Sequence, residues 1–157
     1  MLKSVGVNIV FSEIPGELTV AIELSKCPHK CPGCHSEWLQ EDVGSKFGIK
    51  QLDDILMRYH GFTCICFMGG DNDHASINKL SAHIREKKPN LKIGWYSGDD
   101  TLPNDVDMAN FDYIKIGHYD KEKGGLDSKT TNQCLFRIKE NGKVLDDLTY
   151  KFWRDNE

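Results

Sequence analysis

Two periods of hydrophobic and polar residues run along the chain. Residues 9–24 read as two β-type runs around the turn signal Pro15-Gly16. In the second run Leu18, Val20, Ile22 and Leu24 alternate with Thr19, Ala21 and Glu23, the period of a strand with one face on a core. Residues 1–11 read as a first strand rather than a leader peptide. Asn8 breaks the apolar run, and no small-residue cleavage site follows before Glu13. The period then lengthens. Ile49, Leu52, Ile55, Leu56 and Tyr59 recur at helical spacing and predict an amphipathic helix over 49–60. The run Cys64-Ile65-Cys66-Phe67-Met68 is continuous, as in a strand buried on both faces, and Gly69-Gly70 ends it. A second helix is predicted over 73–87, with Ile77, Leu80 and Ile84 on one face and Asp71 or Asp73 as N-cap. Strands follow over 91–96 and 111–116. A terminal hairpin is predicted from 134–138 and 143–145 around Asn141-Gly142.

The alternation of strand and helix predicts an α/β domain with right-handed crossovers and a mostly parallel sheet. Ligands of such sheets bind beyond the carboxyl ends of the strands. Four segments fall there: the loop 25–35, Gly69-Gly70-Asp71, Ser97-Gly98-Asp99 and Gly117-His118.

Composition narrows the class. The chain has 157 residues, enough for one domain with its own core. No repeat, low-complexity tract or linker divides it, so a single domain over 1–157 is expected, with a core of about 5–138 and a C-terminal extension over 139–157. Lys and Arg number 20 against 24 Asp and Glu, a net charge of −4, and no basic stripe is present. Nucleic acid is therefore a poor partner, since it must be met by cations. No apolar stretch approaches a membrane span, and a cytoplasmic protein is expected.

Chemistry enters with the cysteines. Three of the six crowd into eight residues: Cys27, Cys31 and Cys34, spaced C-x3-C-x2-C. Such crowding favours a metal over disulfides. Three thiolates suit three corners of an iron–sulfur cubane and leave one iron open. A zinc site completed by His29 or His35 is the alternative, and it would make the chain a non-enzymatic adaptor. Cys64 and Cys66 share one strand face and read as small core residues. Cys134 reads as a thiol near the surface. His60, His74 and His83 read as solvated, and Trp38 and Trp95 as core or rim packing. The acidic stretch Asp99, Asp100, Asp105, Asp107, Asp112 reads as a solvated loop.

The C-x3-C-x2-C loop after an early strand, with a Gly-Gly-acid turn after the next, resembles the radical S-adenosylmethionine superfamily. Cys27-Pro28-His29-Lys30-Cys31-Pro32-Gly33-Cys34-His35 narrows the likeness, as do Met68-Gly69-Gly70-Asp71, Trp95-Tyr96-Ser97-Gly98, Gly124-Gly125-Leu126-Asp127-Ser128 and Thr130-Thr131-Asn132-Gln133. Together they resemble the activating components of anaerobic (class III) ribonucleotide reductases, over residues 10–138. The resemblance implies an abbreviated, open, partial βα barrel. It also implies a [4Fe-4S] cluster held by Cys27, Cys31 and Cys34, whose open iron binds S-adenosylmethionine. Reductive cleavage then yields a 5′-deoxyadenosyl radical that takes hydrogen from a glycine of the reductase large subunit, with a low-potential electron donor as a second partner. Gly33, His35, Gly69, Gly70, Asp71 and Ser97 acquire cofactor contacts by the same resemblance, and Lys115 and His118 stand nearby. His35, Met68 and Cys134 depart from the family's usual aromatic, hydroxyl and arginine residues, and residues 13–17 from its usual Gly-Pro-Gly-x-Arg. The alternative within the resemblance is a short enzyme of the same chemistry acting on another glycyl-radical protein or a small molecule.

Overall fold

The computed structural model describes residues 1–29 and 37–153. Strands β1 (Leu2–Val10) and β2 (Thr19–Leu24) pair antiparallel; the first of the two β-type runs ends at Val10, ahead of Pro15-Gly16. A short strand β3 (Ser45–Phe47) adds to the outer edge of β1. Then follow α1 (Ile49–Arg58), β4 (Cys64–Met68), α2 (His74–Lys87), β5 (Lys92–Tyr96) and β6 (Tyr113–Ile116). The C-terminal hairpin is β7 (Cys134–Lys139) and β8 (Val144–Asp147). Its turn places Glu140, Asn141 and Gly142 at positive φ, as the Asn-Gly pair predicts.

All eight strands join one sheet in the order β3-β1-β2-β4-β5-β6-β7-β8. This corrects the expected mostly parallel sheet and the partial βα barrel. Four of the seven pairings are antiparallel and three are parallel. The reason lies in the connections. Parallel neighbours need a long crossover, and only the stretches through α1, through α2 and between β5 and β6 supply one. The last carries a single 3-10 turn, Met108–Asn110, in place of a third α-helix. Every other link is a hairpin, an edge addition or a return of the chain to the sheet margin. The sheet is mixed, with two α-helices on one face.

That face carries the main core. Val20, Ile22, Phe67, Ile93, Trp95 and Ile114 pack there against Leu52 and Ile55 of α1 and Ile77, Leu80 and Ile84 of α2. The opposite face has a smaller core of Ile14, Cys64, Cys66, Tyr113 and Leu135. Asp73, not Asp71, caps α2, accepting from the Ser76 backbone N–H at 3.1 Å. Arg85 near the end of α2 donates to Asp112 and to the Asn110 carbonyl, both at 2.8 Å, and so ties the helix to the β5–β6 crossover. No helix among the described residues is long and apolar enough to cross a membrane.

The parallel block positions the site. Its register sets Glu23, Met68, Tyr96 and Lys115 side by side across β2, β4, β5 and β6. The four strands therefore end at one level, and the segments that follow them meet.

Candidate metal centre

At these strand ends lies a cavity of about 180 Å³, lined among others by Cys27, His29, Gly69, Tyr96, Lys115 and Gln133. A larger hollow of about 490 Å³ lies at the other end of the sheet, lined by Glu17, Phe62, Thr63 and residues 87–92. That hollow has no cysteine or histidine in its wall, so the chemistry belongs to the smaller one.

Cys27 reaches the cavity on a loop pinned at its start. The Ser25 backbone N–H donates to the Lys3 carbonyl at 3.0 Å, and the Cys27 N–H to the Leu39 carbonyl at 2.9 Å. Between them Lys26 takes a positive φ of 63°, which turns the chain off the strand. Cys27 is half-buried. Cys31, Gly33, Cys34 and His35 lie outside the described residues, as does the side chain of Trp38.

The glycine turn after β4 is shaped by close packing. Gly69 and Gly70 have φ of +113° and +99°. A Cβ on Gly70 would stand 2.6 Å from Ile77 Cδ1, and one on Gly69 would stand 3.0 Å from the Leu24 carbonyl oxygen. Glycine is thus required at both positions by backbone conformation and by space. The Gly69 carbonyl accepts from Trp95 Nε1 at 2.7 Å. Trp95 itself is fully buried and packs against His74 and Phe111, the core role expected of it.

Asp71 follows, with its side chain only 3 % exposed. It accepts from Ser97 Oγ at 2.6 Å, from the Gly98 backbone N–H at 2.7 Å and from His29 Nε2 at 2.8 Å, with His74 Nε2 at 3.4 Å. Asp71 and Ser97 therefore meet each other at the cavity wall, and both are held by protein partners. Asp99 stands beside them, 3.2 Å from His29 Nε2. Burial and the neighbouring Asp71 charge raise the Asp99 pKa, against the pull of His29 and His74.

Lys115 is buried and donates from Nζ to the Ser97 carbonyl at 3.0 Å and the Gly117 carbonyl at 2.8 Å, bringing a positive charge to the wall. Gln133 is also buried, with Nε2 at 3.4 Å from the Gly117 carbonyl. His118 is not part of the cavity wall and pairs with Asp100 at 2.7 Å.

Two sequence expectations are corrected. His74 and His83 are half-buried and paired rather than freely solvated. His74 pairs with Asp105 at 2.9 Å and with Asp71, and His83 with Asp53 at 2.7 Å. The acidic stretch is not merely a solvated loop. Asp99 and Asp105 face His74, Asp100 holds His118, Asp107 caps a 3-10 turn and Asp112 holds Arg85. Cys64 and Cys66 are fully buried as expected, and burial drives both thiol pKa values up, so they remain protonated. Cys134 is half-buried, and burial raises its pKa too.

The donor set fits an iron–sulfur cluster. A half-buried thiol faces a cavity whose wall mixes apolar groups such as Leu24, Leu39 and Met68 with polar ones such as Asp71, Ser97 and Lys115, and two further cysteines follow within seven residues. Cysteine spacing and cavity thus define a candidate metal-binding protein. The chain belongs to the family of the 4Fe-4S single cluster domain, which it matches over residues 15–116, about two thirds of its length. No curated protein and no solved structure matches it.

Proposed function

We propose that the protein is a radical S-adenosylmethionine enzyme that activates the large subunit of an anaerobic ribonucleotide reductase. The observation that carries this reading is the meeting of Cys27 and Gly69 on one cavity, in a chain of a single-cluster family; Gly70 packs against Ile77 and is not part of the cavity wall. Cys27, Cys31 and Cys34 hold the cluster and leave one iron for the cofactor. When bound, the cluster supplies the electron that splits S-adenosylmethionine into methionine and a 5′-deoxyadenosyl radical, which takes a hydrogen atom from the target glycine and leaves as 5′-deoxyadenosine.

The chain's own residues bind and shield. Gly69 offers backbone in place of a side chain to the methionyl end. Lys115 sets a cation on the wall, suited to a carboxylate. Tyr96, whose hydroxyl donates to the Glu13 carbonyl, and Met68 give the cavity an apolar side that limits water. Gln133 lies in the Thr-Thr-Asn-Gln segment that supports the particular activase reading, and it reaches this same wall.

The test joins the reduced protein, S-adenosylmethionine and the reductase large subunit without air. A glycyl-radical signal by electron paramagnetic resonance is expected on the large subunit, and it disappears with Cys31→Ala. Cofactor cleavage without that signal would move the target to another glycyl-radical protein or a small molecule.

A further inference from the structure

We propose that His29 is a positioning residue that latches the cysteine loop to the ends of β4 and β5 through Asp71. The inference rests on this loop holding the cluster and not on the radical reading above. His29 stands two residues after Cys27 and two before Cys31. Its Nε2 lies 2.8 Å from Asp71 and 3.2 Å from Asp99. An ionised carboxylate only accepts, so Nε2 carries the proton and donates.

Asp71 is built to receive it. Ser97 Oγ and the Gly98 N–H fix the two carboxylate oxygens, which leaves the plane of the group no freedom to turn. Gly98 makes room as well. A Cβ there would lie 2.6 Å from His29 Cδ2, inside the imidazole's own space. Loop, β4 turn and β5 end thus converge on one side chain. Groups hydrogen-bonded directly to metal ligands typically change metal affinity by about 10- to 100-fold when removed; His29 acts one step further out, on the segment between two cysteines, so the lower end of that range is expected.

His29, Asp71 and Asp99 also lie close enough together to be read as a cation site. The distances favour the latch. The contact of 2.8 Å is an ordinary N–H···O bond, and both Asp71 oxygens already hold donors.

The experiment loads full-length protein with iron and sulfide and follows loss of cluster absorbance to a chelator, with no S-adenosylmethionine present. Wild type, His29→Ala, His29→Gln and Cys27→Ser are compared, with far-ultraviolet circular dichroism to show that each variant is folded. Cluster loss is expected to be about 10-fold or more faster in His29→Ala. His29→Gln, which keeps a donor at similar reach, is expected to restore most of the retention. Equal rates in wild type and His29→Ala would overturn the latch. Full retention in Cys27→Ser would overturn it with its premise. Zinc bound in a His29-dependent way by a variant lacking all three loop cysteines would replace it with a cation site. Since no cofactor is added, failure of the radical chemistry would leave this result standing.

Discussion

Gly70 shows how much a single position carries. Its φ of +99° and the 2.6 Å between a would-be Cβ and Ile77 Cδ1 add two separate costs. Gly70→Ala is expected to destabilise the fold by about 2 kcal/mol, read as a lower urea midpoint at unchanged slope. Gly61→Ala is the comparison. Gly61 also has a positive φ of 79°, but nothing lies within 4 Å of its would-be Cβ. Only the conformational cost remains, about 1 kcal/mol. His74 is the second informative residue. Burial lowers its pKa, but hydrogen bonding and charge from Asp105, then Asp71, outweigh burial and raise it, with Asp99 also facing the ring. A raised value stabilises the fold fully below the unfolded value near 6.5, and that contribution fades as pH rises through the folded value. Asp105 is shifted down by the same pair, so its share is lost only in acid. Urea midpoints of wild type and Asp105→Asn are therefore expected to differ more at pH 5.5 than at pH 8.5. A gap that widens at the higher pH would contradict the assignment. Sequence spacing gave no warning of this cluster, because Asp71 reaches His74 from the turn after β4, and Asp99 and Asp105 from the connection after β5.

At the scale of elements, most of the individual helices and strands were legible, and the sheet they form was not. The helical spacing of Ile49, Leu52, Ile55 and Leu56 and the unbroken run at 64–68 became α1 and β4 nearly as read. Phe67 is wholly buried between β4 and the helices, whereas Met57 on α1 is 74 % exposed. Phe67→Ala is expected to cost about 3–5 kcal/mol. Met57→Ala is expected to stay within about 0.5 kcal/mol, and both values come from denaturant unfolding. What the pattern did not carry was pairing. The terminal hairpin was visible at Asn141-Gly142 and a turn between two β-type runs at Pro15-Gly16, yet periodicity does not say which strands become neighbours. The three-residue β3 is too short to show a period, and the union of β6 with β7 joins segments separated by an irregular loop. Those contacts, invisible locally, turned an expected mostly parallel sheet into a mixed one.

For the whole molecule, with Cys31, Gly33, Cys34 and His35 outside the described residues, what the structure describes of the candidate site is a set of strand ends, Cys27, Gly69, Asp71, Ser97 and Gly98, that local signals had marked. Their convergence follows from the level register of the parallel block. The polar frame behind them was not legible, because a buried carboxylate such as Asp71 chooses its donors in three dimensions. The result is a small scaffold that brings Cys27, a glycine turn and a buried lysine to one cavity. In the function we propose, this cavity cleaves S-adenosylmethionine. The most direct measurement is 5′-deoxyadenosine formed by the reconstituted, reduced protein, quantified by mass spectrometry beside Cys31→Ala. Product from wild type and none from the variant is the predicted result. A fully loaded, reduced cluster that yields no 5′-deoxyadenosine, even with the reductase large subunit present, would contradict it.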